Sequence, residues 1–246
     1  MYKGLLTTIL LIMSVSTFGR GQSICGAEDN RVPSYENEIG RLFAGEKHAG
    51  CTVTMISEDC GITAGHCKSV LKFAEFNTPA SIDGIPQASA AEDVYAIDQD
   101  SIVSKDDGPG NDWAVMKLKA NELTGKLPGA VQGFLEVSFE APRKRSILSI
   151  TGYGRDLPDH DRNFAQQTNS GRLEKMGGFW YGKTVFTHTV DTMGGNSGST
   201  VIDVASNKII GIHTHGGCTS TGGSNMGTLI SKHDELKAAI RACLSK

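Results

Sequence analysis

From about residue 36 to residue 230 the sequence alternates between short runs rich in Val, Ile and Thr and polar, glycine-bearing turns. Thirty glycines are scattered without a collagen-like period. Runs of this kind suit pleated, half-buried strands, and the glycines and polar residues between them suit tight turns. The pattern predicts an all-β fold. Strands are expected at 38–43, 51–56, 60–64, 88–104 and 113–118, broken by AGEKHAG (44–50), SED (57–59) and KDDGPGND (105–112). A Gly-Pro-Gly triplet cannot continue a hydrogen-bonded ladder. Further strands are expected at 146–153, 172–176, 184–190, 199–203, 209–214 and 226–230. Composition loosens over 127–133, which places a boundary between two strand-rich halves there. Only the C-terminal end reads as a helix: Leu236, Ala239, Ile240, Cys243 and Leu244 share one stripe, with Lys237 and Arg241 facing away. Ser231 is the expected cap, with Asp234 three residues on.

A chain of 246 residues can bury a proper core. Its net charge of -3, with no long Lys or Arg run, argues against nucleic acid or an anionic membrane surface as partner. The first residues, MYKGLLTTILLIMSVSTFGRGQS, place Lys3 before an apolar stretch over 5–15 and then small and polar residues. That is the order of a secretory leader, with cleavage expected between residues 16 and 23. The apolar stretch is too short to span a bilayer comfortably. The Gln-Ser-Ile before Cys25 does not suit a lipoprotein cleavage site, so no lipid anchor and no stable membrane association are expected once the leader is removed. Export makes Cys25, Cys51, Cys60, Cys67, Cys218 and Cys243 candidates for disulfides. No close cysteine pair has metal spacing and the histidines are dispersed, so no metal and no cofactor are expected. The acidic stretch DLPDHDRN (156–163) holds Asp156, Asp159 and Asp161, but lacks the glycine and terminal glutamate of a calcium loop; an exposed polar loop explains it.

Three segments can carry chemistry. TAGHC (63–67) puts His66 after two small residues at the end of an apolar strand; NDWAV (111–115) puts Asp112 directly before another. DTMGGNSGS (191–199) has almost nothing to fill a core, and its glycines let the main chain approach a ligand closely. It lies between two strand-like runs, where a flexible linker would split a sheet.

In the order His, Asp, Ser, these motifs resemble the trypsin-like (chymotrypsin-fold) serine peptidases, over roughly residue 38 to the C-terminus. The resemblance implies two packed six-stranded antiparallel β-barrels with the site in the cleft between them, and a C-terminal α-helix. The leader read from the first residues takes 1–23, with room for a short propeptide, and a peptidase domain follows over 24–246. Within that domain the first barrel would span about 36–126, the second about 134–230 and the helix about 232–244. Ser197 would be the nucleophile, His66 the general base and Asp112 the residue that orients the imidazole, with the Gly195 and Ser197 N–H groups as the oxyanion hole. Cys51 and Cys67 would form the disulfide that ties down the histidine loop. The cysteine that digestive enzymes keep just before the nucleophile is replaced by Met193.

DTMGGNSGS together with IIGIHTHGG (209–217) is similar to the bacterial V8-like glutamyl endopeptidase branch, and CGAEDNRVP (25–33) followed by EIGRL (38–42) resembles the start of its mature enzymes. In that branch an acidic side chain is bound by a histidine and a threonine, here His213 and Thr192, and a freed N-terminal amine can lie near the pocket. Asn196 stands where trypsins keep an aspartate for their activation switch. Asp191 stands where trypsins keep the carboxylate that selects Lys or Arg. His215 would line an adjacent subsite or be exposed. The expected activity is a secreted, monomeric serine endopeptidase acting on proteins and peptides, with preference for Glu and then Asp before the scissile bond. A trypsin-like enzyme using Asp191 and a non-catalytic binding or adhesion protein on the same fold are the two alternatives.

Overall fold

The computed structural model describes residues 23–45, 48, 50–156, 160–178 and 182–245. The leader therefore lies outside the described residues, apart from Ser23, as does Asp159. In the first half the strands are β1 (Ile39–Phe43), β2 (Thr52–Met55), β3 (Cys60–Thr63), β4 (Phe73–Glu75), β5 (Val94–Ala96), β6 (Val103–Asp106) and β7 (Asp112–Lys117). They pair in the order β5-β4-β1-β2-β3-β7-β6, a seven-stranded sheet that curls until the end of β5 meets the end of β7: Ile97 bridges Leu118, and Lys119 N donates to the Ala96 carbonyl at 2.8 Å. In the second half the strands are β8 (Ile147–Gly152), β9 (Gln167–Gly178), β10 (Gly182–His188), β11 (Thr200–Asp203), β12 (Lys208–His215) and β13 (Asn225–Leu229). Their order is β9-β10-β13-β12-β11-β8, and β9 pairs back onto β8, which closes a six-stranded barrel. The long β9 makes this possible. Its first half, Gln167 to Arg172, pairs with β8 and its second half with β10.

Two differences from the sequence pattern stand out in the first sheet. The run 88–104 is not one strand but β5 and β6, with short 3-10 turns at Ala91–Asp93 and Gln99–Ser101. Between the strands, Ser101 Oγ donates to the Asp98 carbonyl at 2.6 Å, so a local polar contact competes with the ladder. In β4, Glu75 is fully buried and accepts from Arg41 Nε at 2.8 Å. The remaining Arg41 donors reach the carbonyls of Phe164 and Gln87, so the guanidinium is satisfied inside the protein.

Leu42, Val53, Met55, Ile62, Ala74, Phe76 and Tyr95 pack inside the first sheet, and Leu148, Ile150, Leu173, Phe186, Val201 and Ile210 inside the barrel. Ile209 and Ile212 of the barrel belong to the same buried apolar cluster as the first sheet, and polar contacts also cross between the halves: Thr54 and Thr200 share a hydrogen bond of 2.9 Å, and Tyr153 Oη donates to the Ile39 carbonyl at 3.0 Å. A short helix, α1 (Pro128–Gln132), joins the halves, and α2 (Asp234–Leu244) follows the barrel. α2 returns to the first sheet, burying Leu236 and Ile240 there and linking Cys243 to Cys60 of β3 by a disulfide. Leu244, on the same stripe by sequence, is exposed in the last turn. The cap is His233, not Ser231: its Nδ1 accepts from Leu236 N at 3.2 Å, while Ser231 lies in the preceding 3-10 turn.

Candidate functional site

His66 is the second residue of the 3-10 turn Gly65–Val70 that follows β3. The turn is pressed against β6 and β7. A Cβ on Gly65 would lie 1.9 Å from the Lys105 carbonyl, so only glycine lets the chain pass so close. The Cys51–Cys67 disulfide fixes the same turn to the entry of β2. Asp112, the first residue of β7, is fully buried and takes both available donors of His66: the main-chain N–H at 3.0 Å and Nδ1 at 2.6 Å. A carboxylate can only accept, so the Nδ1 proton points at Asp112 and Nε2 is left as the basic nitrogen. Thr228 Oγ1 donates to the Asp112 carbonyl at 2.9 Å, which ties the acid to the barrel as well as to the sheet.

The glycine-rich segment reaches the same place from the barrel. The Ser197 carbonyl accepts from Thr52 N at 2.9 Å, and the Gly195 carbonyl from Thr52 Oγ1 at 3.0 Å. Gly198 has φ +87°, and a Cβ there would meet Thr63 Oγ1 at 2.0 Å and Ala64 N at 3.0 Å, the residues just before His66. Cys67 Sγ lies 3.8 Å from the Ser197 carbonyl. His66, Asp112 and the Ser197 loop thus converge where sheet and barrel meet. Among the described residues, neither Gly195 N–H nor Ser197 N–H donates a hydrogen bond within the protein. Asn196 closes the loop on itself, accepting from Met193 N at 3.0 Å.

The sulfurs of Cys51 and Cys67 approach His66, but as a disulfide they offer no thiolate to a metal. Asp156 pairs with Arg162 at 2.9 Å and with His160 at 3.2 Å, so its carboxylate is already held by side chains of the chain itself.

Behind the segment lie the residues expected to read the substrate. Thr192 and His213 are buried, and Gly198 N donates to the His213 carbonyl at 2.9 Å. His213 Nδ1 is 3.2 Å from Nε2 of His188, a fully buried histidine with no obvious sequence signal beyond its place at the end of β10. Burial holds His213 well below the ordinary histidine range, with His188, His215 and His66 adding to the effect, and it pushes His188 down to about 3. Both rings are neutral at pH 7. Their tautomers follow from the main chain: Val190 N donates to His188 Nδ1 at 3.2 Å, so the His188 proton sits on Nε2 and is given to His213 Nδ1. His213 then carries its own proton on Nε2, a neutral N–H donor. His215, half-exposed, stands edge-on to His66 with ring centres 6.0 Å apart, and its Nδ1 is 2.9 Å from Thr214 Oγ1.

Asp191 does not present a bare carboxylate. Its Oδ1 accepts from Cys25 N at 2.7 Å and its Oδ2 from Asn30 N at 3.0 Å, both on the segment that precedes the first sheet. Asn225, which the sequence does not single out, is fully buried on β13; its Nδ2 reaches Thr192 Oγ1 at 3.2 Å and its Oδ1 accepts from Gly217 N at 2.9 Å.

The family profile described as Trypsin matches residues 31–236. The chain belongs to the trypsin family. Like other trypsin-family serine peptidases it is an enzyme of peptide and protein substrates. No curated protein matches the sequence. Among solved structures, a Glu endopeptidase in complex with MPD is similar with a TM-score of 0.67 and 19% identity, covering 91% of this chain and 100% of its own. A thermostable serine protease, AL20, from an extremophilic microorganism gives 0.63 and 14%, covering 86% and 99%. Protease Anisep from Arthrobacter nicotinovorans gives 0.62 and 14%, covering 92% and 100%. At such identities the three establish the shared trypsin-family fold.

Proposed function

We propose that this trypsin-family enzyme is an exported, monomeric endopeptidase that cleaves after Glu, and secondarily after Asp, through an acyl-enzyme on Ser197. As the Ser197 hydroxyl attacks the scissile carbonyl, its proton passes to His66 Nε2, and Asp112 stabilises the resulting imidazolium through the Nδ1–H bond. The carbonyl oxygen becomes an anion. The N–H groups of Gly195 and Ser197 donate to no other described residue and would meet it, each such donor being worth about a hundred- to a thousandfold in rate. When the tetrahedral adduct collapses, the C–N bond breaks and the leaving amine takes the proton back from His66. Water then repeats the sequence on the ester and regenerates the serine.

The observation that carries the acidic preference is the pairing of an engaged Asp191 with a neutral His213. A glutamate side chain leaving water needs donors in place of its hydration shell. His213 Nε2–H and the Thr192 hydroxyl are donors of that kind, whereas the Asp191 carboxylate, which would otherwise repel the substrate, is hydrogen-bonded to Cys25 and Asn30. The similarity to a Glu endopeptidase points the same way. A fluorophosphonate probe should label Ser197, and a panel of anilides differing only before the scissile bond should show Glu turned over fastest, then Asp. Faster cleavage of the Lys or Arg member reverses the specificity and leaves the mechanism standing; absence of label on Ser197 removes both.

A further inference from the structure

Residues 23–31 are threaded across the residues just assigned to substrate selection. Ser23 bridges Thr192 in antiparallel fashion, and its carbonyl accepts from Thr192 N at 3.3 Å and from Asn225 Nδ2 at 2.8 Å. Its hydroxyl lies directly over Gly216: a Cβ added to that glycine would be 1.8 Å from Ser23 Oγ. Two residues on, Cys25 is bonded to Cys218, with Cα atoms 4.8 Å apart, and Gly26 N donates to the Thr219 carbonyl at 3.2 Å. The same strap supplies the N–H groups that occupy Asp191.

We infer that this strap is a third wall of the specificity pocket and that the Cys25–Cys218 disulfide, by holding it, decides which charge the pocket accepts. The inference rests on reading Thr192, His213 and residues 211–217 as that pocket, and on cleavage of the leader before Ser23, within the expected window of residues 16 to 23. With the strap in place, Asp191 is screened by two main-chain donors and Ser23 covers Gly216. With the strap released, both donors leave, the carboxylate faces the pocket unscreened, and an acidic side chain is repelled while a basic one gains a partner. Ser23 is then a wall residue, the Cys25 and Asn30 N–H groups decide the charge by masking Asp191, and Cys218 and Asn225 are positioning residues that hold the strap.

The test compares Cys25→Ser/Cys218→Ser with the wild type on the full anilide panel, alongside the rate of Ser197 labelling by a small fluorophosphonate that does not use the pocket. The expected result is a fall of about tenfold or more in kcat/KM for Glu and a rise for Lys and Arg, with labelling changed by less than about twofold. Adding Asp191→Asn to that variant should remove the gain for Lys and Arg. Cys60→Ser/Cys243→Ser, which opens a disulfide of similar span between β3 and α2, should lower thermal stability and leave the preference profile as it was. A profile for the strap variant superimposable on the wild type overturns the inference. Should that variant fail to fold, Ser23→Trp, which keeps the disulfide, must raise KM for the Glu substrate about tenfold or more, and an unchanged KM overturns it equally. If the wild type itself prefers another residue, the glutamyl reading fails, and the strap is still judged by whether the two profiles differ.

Discussion

His66 and His213 are the same residue type at the same interface, in opposite states. His66, on the first sheet, is partly exposed and has a buried carboxylate 2.6 Å from Nδ1. His213, on the barrel, is buried and has another imidazole 3.2 Å from Nδ1. A carboxylate partner favours the charged ring that forms during proton transfer; a neutral partner in a dry barrel forbids charge and leaves a fixed donor. On the proposed function, the contrast gives one fold a proton carrier and a proton-retaining binding group from one side chain. The largest break of the first half is removal of what His66 serves. Ser197→Ala should lower kcat by about a millionfold, measured on the Glu anilide with the folded state checked by circular dichroism. Residual activity within tenfold of wild type would place the nucleophile elsewhere.

Asp112→Asn keeps the shape but removes the charge and lets the imidazole settle in the other tautomer. A fall in kcat of about ten thousandfold is expected, with KM changed little. An equal loss through KM would make Asp112 a substrate-binding residue and dissolve the contrast with His213.

What was legible in the sequence follows the range of the physics. TAGHC, NDWAV and DTMGGNSGS are contiguous because each shapes its own main chain: Gly65 and Gly198 are needed where a Cβ would collide with a neighbouring carbonyl or side chain. The all-β pattern and the terminal helix were readable for the same local reason. His188, Asn225 and Ser23 were not, since each acts on a partner that only strand register or a disulfide brings close. The pairings Cys25–Cys218 and Cys60–Cys243 were equally hidden, spanning 193 and 183 residues. The strand signal of Phe-Ala-Glu in β4 is weak in the sequence because its glutamate is accommodated only by Arg41, 34 residues away.

The barrel side of the comparison is sharpened by His213→Ala, which deletes the donor that the tautomer chain delivers. kcat/KM for the Glu substrate should fall by about a hundredfold, carried mainly by KM, while Ser197 labelling continues. A parallel loss of labelling would mean that His213 supports the Ser197 loop through its carbonyl and not the substrate through its ring.

The smallest effect is on stability, and its sign can be worked out. Above pH 6.5, the ordinary value, His188 is neutral in both folded and unfolded chains and gives no slope. As pH falls from 6.5 toward about 3, the unfolded chain binds a proton that the folded ring refuses. Stability then drops by about 1.4 kcal/mol per pH unit for this one group, or about 2 kcal/mol by pH 5. The opposite sign would apply to a histidine whose charge the fold stabilises. Carboxylates add their own acid slope, so the informative quantity is the difference between the wild type and His188→Gln, which cannot titrate. Urea midpoints between pH 4.5 and 7.5 should converge on acidification, because only the wild type loses the His188 share. Parallel curves would mean that His188 takes up its proton in the folded protein; the neutral relay that sets His213 Nε2–H as a donor would then have to be abandoned, and with it the contrast between the two halves of the site.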